Sequence, residues 1–264
     1  MSSEYRATRA KLTCNAVRVV VLVVIACRTT LAADALSMTR TESLATLLPL
    51  EQAQRMSDIL PLDQQLRWHV RVPPSESSGV LVFVKPDRSA DPQSEWARVL
   101  DQQNLIWVCA EDFGNDKSSA QRVLAAVLGL ALVQRDYSID SKRIYIGGMS
   151  GGGRVASMTI TKFPHLFTGA LYIVGVDSWT RVEEPLKEAI AANRYVFITG
   201  REDFNRAETR RVYDKYRRAG VESAQLIDLP SLGHEYPDAD TLTRAIRFLD
   251  GERATSNMKR PSSP

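Results

Sequence analysis

The sequence predicts an α/β chain: one mainly parallel central sheet with helices on both faces. Three observations predict it. Short, β-branched apolar runs recur at Val80–Val84, Leu105–Ala110, Ile144–Ile146, Ala170–Val174 and Tyr195–Thr199. Strands covered on both faces read as continuous runs of this kind. Stretches of helical period fall between them, and repeated strand–helix alternation is the pattern of a parallel sheet. The 264 residues are enough to bury one sizeable core, so a single domain over 37–250 is expected.

Residues 1–32 read as a targeting segment. A basic stretch from Arg6 to Arg18 leads into the apolar run Val19–Cys27, and small residues follow in Thr29-Thr30-Leu31-Ala32-Ala33. Basic, then apolar, then small is the order of a secretory signal peptide, and the apolar run is too short to span a bilayer. Cleavage is expected after Ala32, with a periplasmic or extracellular destination. The competing expectation is a membrane-anchored lipoprotein, because Val24-Ile25-Ala26-Cys27 has the form of a lipobox and would place a lipid anchor on Cys27. Five basic residues against Glu4 give this segment a net charge of +4, while the whole chain carries +3. The basic excess is therefore local and does not point to nucleic acid. Cleavage would leave Cys109 as the one remaining cysteine, which excludes an internal disulfide. No CxxC or His/Cys cluster suggests a metal.

The first strand is Leu66–Val72, where Leu66, Trp68, Val70 and Val72 alternate with Arg67, His69 and Arg71. The runs at Val80 and Leu105 follow. A helical stripe then links Ala120, Val123, Leu124, Val127, Leu128 and Ala131, with Ser118 and Gln121 spaced as a capping box. Arg154–Lys162 has helical character and ends before Pro164. Asn205 and Glu208 are spaced as another helix start, Lys215, Arg217 and Arg218 suit a last turn, and Gly220 suits a stop. Gln225–Leu229 is a mixed strand, and Leu242, Ala245, Ile246 and Leu249 give a final amphipathic helix. The tail 251–264 has little to bury and is expected to be disordered.

The chemistry centres on Gly148-Met149-Ser150-Gly151-Gly152, a G-x-S-x-G pattern between an apolar strand and a helical stretch. A sharp strand-to-helix turn would lift the Ser150 hydroxyl above the sheet, and the flanking glycines would let neighbouring backbone approach. The Gly151 N–H would then face the oxygen of a reacting acyl group. No Gly-Lys-Ser/Thr follows, so a phosphate loop is disfavoured. A serine nucleophile needs a base, and the chain has three histidines. His69 lies on a polar strand face, and His165 suits a helix end. His234 lies beyond the last strand, where strand C-terminal ends open on one side of the sheet, and is the candidate base. Asp203, after Tyr195–Thr199, is the candidate acid that orients it, with Glu202 and Asp177 as alternatives. The order Ser150, Asp203, His234 is the one used by α/β-hydrolases.

On these motifs, residues from about Val80 to Asp250 resemble the α/β-hydrolase superfamily. The segment Tyr137–Tyr145 leading into Gly147–Gly153, the turn Thr199-Gly200-Arg201-Glu202-Asp203 and the pair Gly233-His234 are most similar to secreted esterases related to polyhydroxybutyrate depolymerases and feruloyl esterases. The resemblance implies ester hydrolysis through an acyl-enzyme, without a cofactor. One departure stands out. Many such enzymes carry His-Gly after the third strand, where a backbone N–H completes the oxyanion hole. Here Val84 runs into Lys85-Pro86-Asp87-Arg88, and Pro86 has no N–H to give. The second donor is expected from Asp87 or Arg88, with the loop Asp112-Phe113-Gly114-Asn115 as the alternative source. Only Asp177–Arg194 separates two strands where lids are often inserted, so little or no lid and an open site for bulky or polymeric esters are expected. Trp179 and Arg181 in that stretch are candidate substrate contacts. A secreted serine peptidase, a catalytically silent binding module of the same fold and a structural envelope protein are the competing functional expectations.

Overall fold

The strands of the computed structural model follow the apolar runs closely. It describes residues 34–75, 78–178 and 185–252. The expected leader, Cys27, Trp179, Arg181 and residues 253–264 lie outside the described residues.

Eight strands form one sheet in the order β1-β2-β4-β3-β5-β6-β7-β8. They are β1 (Leu36–Glu42), β2 (Leu66–Val72), β3 (Ser78–Val84), β4 (Leu105–Ala110), β5 (Ile139–Met149), β6 (Gly169–Ile173), β7 (Arg194–Gly200) and β8 (Ala224–Leu229). β2 runs antiparallel to both neighbours, and every pairing from β4 to β8 is parallel. The helices are α1 (Leu44–Leu47), α2 (Leu50–Met56), α3 (Ser94–Gln102), α4 (Ser119–Asp136), α5 (Gly151–Lys162), α6 (Leu186–Ala192), α7 (Arg206–Arg218) and α8 (Ala239–Leu249).

Strand pleating divides the core in two. Val80, Val82 and Val84 of β3 point into one cluster, with Ile144, Ile146, Tyr172, Tyr195 and Phe197. That cluster is covered by α4, α5 and α7, through residues such as Leu128, Ala156 and Val212. Leu81 and Phe83 point the other way, with Tyr145, Ile173 and Ile198, under Trp96 and Leu100 of α3 and Leu242 and Ile246 of α8. A strand with both faces buried has no polar side to alternate with, which is why these strands appear in the sequence as unbroken runs. The buried indoles of Trp68, Trp96 and Trp107 donate to the carbonyls of Ala125, Pro237 and Ala90, so none costs an unpaired N–H. Cys109 is buried on β4, and burial pushes its thiol up to about 12. It is a packing residue.

Two local expectations change. The expected capping box at Asn205 and Glu208 does not form. Asn205 instead donates its side-chain amide to the Val174 carbonyl at 2.8 Å, and Glu208 pairs with Arg154. The box at Ser118 does form, with Gln121 N donating to Ser118 Oγ at 3.2 Å and Ser118 N to Gln121 Oε1 at 3.2 Å. Gly220 sits at φ 89°, as a C-terminal stop requires.

Topology supplies the place for a site. From β3 the chain passes through α3 to β4 on one side; from β5 it passes through α5 to β6 on the other. The C-terminal ends of the adjacent strands β3 and β5 therefore diverge, leaving a crevice at the switch point.

Candidate active site

Ser150 stands at that crevice, between β5 and α5. Its backbone sits at φ 53° and ψ −121°, a conformation that costs an L-residue about 1–3 kcal/mol. Ser150 N donates to the Ile173 carbonyl at 2.8 Å, which ties the turn to the end of β6. The surrounding glycines are dictated by contact. A Cβ on Gly148 would lie 2.3 Å from the Gly152 carbonyl oxygen, and one on Gly152 would lie 1.9 Å from that of Val84. Gly175, which the sequence pattern does not mark, is as tightly placed: its Cβ would lie 2.7 Å from Ser150 Cα.

The three side chains chosen from the sequence meet. Ser150 Oγ lies 2.8 Å from His234 Nε2, and His234 Nδ1 lies 2.9 Å from Asp203 Oδ1. They come from the C-terminal ends of β5, β7 and β8, which the parallel sheet brings to one edge. The Asp203 carboxylate is fully buried, whereas the His234 side chain is 22% exposed. Thr199 Oγ1 donates to Asp203 Oδ2 at 2.7 Å and Asn205 N to Oδ1 at 3.0 Å, so the carboxylate is held at both oxygens. Because the carboxylate only accepts, Nδ1 of His234 carries the proton and Nε2 is left to accept from the Ser150 hydroxyl. Phe204 stacks on the His234 ring, with centroids 4.0 Å apart, and is itself 76% exposed. The sequence reading missed it; an aromatic beside the candidate acid was the available signal.

The alternative residues are placed elsewhere. Glu202 is exposed and uses its amide on the Leu232 carbonyl. Asp177 accepts from Ser178 N, and its own amide donates to Ser157 Oγ. No contact among the described residues joins either to His234. His69 is bonded to Ser37 and paired with Asp91, and His165 is exposed on the turn Pro164–Leu166. No group of metal-ligating side chains exists among the described residues. An apolar groove of about 890 Å³ runs along α2, α4 and α5, but Ser150, Asp203 and His234 do not line it.

Three segments converge beside Gly151. Asn115 N donates to the Pro86 carbonyl at 2.8 Å and Asp112 N to that of Arg88 at 2.9 Å, so the loop after β4 supports the loop after β3. Gly114 packs so tightly on Asp87 that a Cβ would lie 2.8 Å from its carbonyl carbon. The Asp87 carboxylate accepts from Ser89 N and Oγ, at 2.8 and 2.5 Å. Burial alone would raise its pKa, but those bonds and the charge of Lys85 bring it below the ordinary aspartate value. Arg122 of α4, buried behind these loops, was not singled out from the sequence. Its guanidinium reaches the carbonyls of Phe113 and Lys85 and the side chain of Asn115.

Comparison with known proteins agrees with this architecture. The model of the prolyl oligopeptidase family matches residues 124–227, less than half of the chain. No curated protein matches the chain in sequence. Among solved structures, a ferulic acid esterase is similar with a TM-score of 0.64 at 15% identity, over 83% of this chain and 99% of that one. FphF, a fluorophosphonate-binding serine hydrolase of Staphylococcus aureus, is similar with a TM-score of 0.61 at 13% identity, over 82% and 99% of the two chains. The esterase Est22 is similar with a TM-score of 0.62 at 15% identity, over 84% and 82%. Strand order, the strained serine turn and these likenesses converge on one answer: this chain has the α/β-hydrolase fold.

Proposed function

We propose that this protein is a serine hydrolase of carboxylic esters that works through an acyl-enzyme on Ser150. One observation carries the proposal: the continuous pair of hydrogen bonds Ser150–His234–Asp203, made by side chains from three separate strand ends. Structural proteins have no use for a strained serine bonded to a histidine that a buried carboxylate orients. In the proposed reaction His234 Nε2 takes the Ser150 proton as Oγ bonds to the ester carbonyl carbon. The carbonyl electron pair moves to oxygen, where the Gly151 N–H stabilises it. Collapse expels the alcohol, which takes the proton from His234. Water then repeats the sequence on the acyl-enzyme and restores Ser150. The fully buried Asp203 stabilises the imidazolium without itself taking up the proton. No cofactor enters this scheme. The similar structures named as esterases support an ester substrate, and the exposed Phe204 beside His234 supports a wide approach for bulky or polymeric ones.

The peptidase reading has one observation in its favour, the match of the prolyl oligopeptidase model to residues 124–227. We further propose, from the order of residues 1–32, that the protein is exported.

Fluorophosphonate labelling tests the central proposal. Stoichiometric modification at Ser150, lost in Ser150→Ala and reduced in His234→Ala, is the expected result. Turnover of p-nitrophenyl esters well above that of peptide p-nitroanilides is expected alongside it. The opposite preference would make the protein a peptidase. A folded sample that does not react would make it a silent binding module.

A further inference from the structure

We propose that the Asn115 carboxamide is the second oxyanion donor beside Gly151 N–H, and that Arg122 is the positioning residue that fixes its orientation; this rests on the esterase reading above. Arg122 is 5% exposed, and none of its hydrogen-bond partners is a carboxylate. Nε donates to the Phe113 carbonyl at 3.1 Å, Nη2 to that of Lys85 at 2.9 Å, and Nη1 to Asn115 Oδ1 at 3.0 Å and the Gly151 carbonyl at 3.4 Å. Burying a guanidinium whose hydrogen bonds all go to neutral oxygens is costly. Here the cost ties the loop after β3, the loop after β4 and the first turn of α5 together, at the one place where all three border the nucleophile.

The arrangement fixes the Asn115 amide. Arginine only donates, so the Asn115 atom facing it is the oxygen, and the NH₂ must point away. That NH₂ has no hydrogen-bond partner among the described residues, and Asn115 is exposed. The carboxamide lies against Gly151, where a Cβ would meet Asn115 Oδ1 at 2.1 Å and Nδ2 at 3.0 Å. Glycine at 151 thus admits the carboxamide to the residue that carries the first donor. The loop after β3 is poorly equipped to supply the second. Pro86, its second residue, has no N–H to donate.

Asn115→Ala tests the assignment in the full chain. The expected result is a fall of about a hundredfold in kcat for a p-nitrophenyl ester with KM nearly unchanged. A trifluoromethyl ketone forms a hemiketal on Ser150 whose oxyanion uses the same donors, so its Ki should rise by a similar factor. Asn115→Asp keeps the acceptor for Arg122 and the shape of the side chain but removes the donor, and should fold normally and be at least as impaired. Arg122→Lys should lower kcat and inhibitor affinity in the wild-type background. It should lower inhibitor affinity little further once Asn115 is alanine, as expected for a residue acting through another. A kcat for Asn115→Ala within threefold of wild type, with Ser150 still labelled by fluorophosphonate, would overturn this assignment and return the role to the Asp87 amide. Failure of the wild-type protein to label would overturn the esterase reading and this one together.

Discussion

At Ser150 a strained backbone is held by contacts rather than by its own preference. Its amide is anchored on Ile173, and the approach of Gly148, Gly152 and Gly175 leaves no room for another geometry. Gly175 offers the sharpest test, because a Cβ there would press on the Ser150 backbone, 2.4 Å from its carbonyl oxygen, and not on substrate. Gly175→Ala should lower kcat by about a hundredfold through displacement of the nucleophile, with KM moving much less. Steady-state kinetics on a chromogenic ester would read this, and an unchanged kcat would mean that the turn yields freely. Asp203 makes a different point. Asparagine has nearly the same shape, but it can present an N–H where His234 Nδ1 needs an acceptor, which favours the wrong tautomer. Asp203→Asn should therefore retain the fold and lose about 10⁴-fold in kcat at neutral pH, as removal of the orienting charge does in serine triads. A loss of less than tenfold would argue that Asp203 is only a structural carboxylate bonded to Thr199 and Asn205.

The element that governs His234 is α8, whose start anchors the loop after β8. Asp238 is its N-cap and accepts from Thr241 N at 2.8 Å, while Trp96 of α3 donates to the Pro237 carbonyl at 2.9 Å. Asp238→Ala should cost about 1 kcal/mol. Hydrogen bonds from the Thr241 hydroxyl and amide hold the Asp238 carboxyl below its ordinary value of 3.8. A depressed folded value means that the contribution is complete above the unfolded value and fades as the pH falls through the folded one. The difference in stability between wild type and Asp238→Ala should thus be full at pH 6 and smaller at pH 3, where the unfolded carboxyl has begun to protonate. Urea denaturation at both pH values would read it, and a constant difference would show that ionisation of the cap is immaterial. Legibility in the sequence also varied by element. β2 was readable to the residue and the interior strands nearly so, because burial on both faces leaves only apolar letters. β1 was not, since this edge strand buries little and carries Ser37, Thr39, Arg40 and Thr41. α3 was missed because Trp96, Val99 and Leu100 make barely two turns of periodicity in nine residues. β5 begins earlier than its apolar run, through the polar Asp140–Arg143. The meeting of Ser150, Asp203 and His234 was legible because each follows a strand end in chain order. Arg122, Gly175 and Phe204 were not, and Asn115 only as one residue of the loop Asp112-Phe113-Gly114-Asn115, because their placement comes from contacts between segments far apart in the sequence.

For the whole molecule, the sheet is the device that assembles the site. Residues 150, 203 and 234 meet because parallel pairing sends β5, β7 and β8 the same way, and each strand delivers one side chain at its end. Both core clusters must be complete for those ends to align, so the site and the fold should be lost together in a single cooperative transition. The compact unit Ala33–Pro264 contains all of these strands. A protein beginning at Ala33 should therefore fold, melt cooperatively and label at Ser150 to the same extent as the full chain. On the proposed export reading, residues 1–32 serve only as an address. Expressed in an export-competent bacterial host, the chain should yield a soluble exported form whose intact mass starts at Ala33. A membrane-bound form beginning at a lipid-modified Cys27 would identify the lipoprotein route instead. A full-length, unprocessed protein in the cytosol would overturn the export reading, while Ser150 labelling of that same sample would leave the esterase reading standing, because that reading rests on the hydrogen bonds joining Ser150, His234 and Asp203.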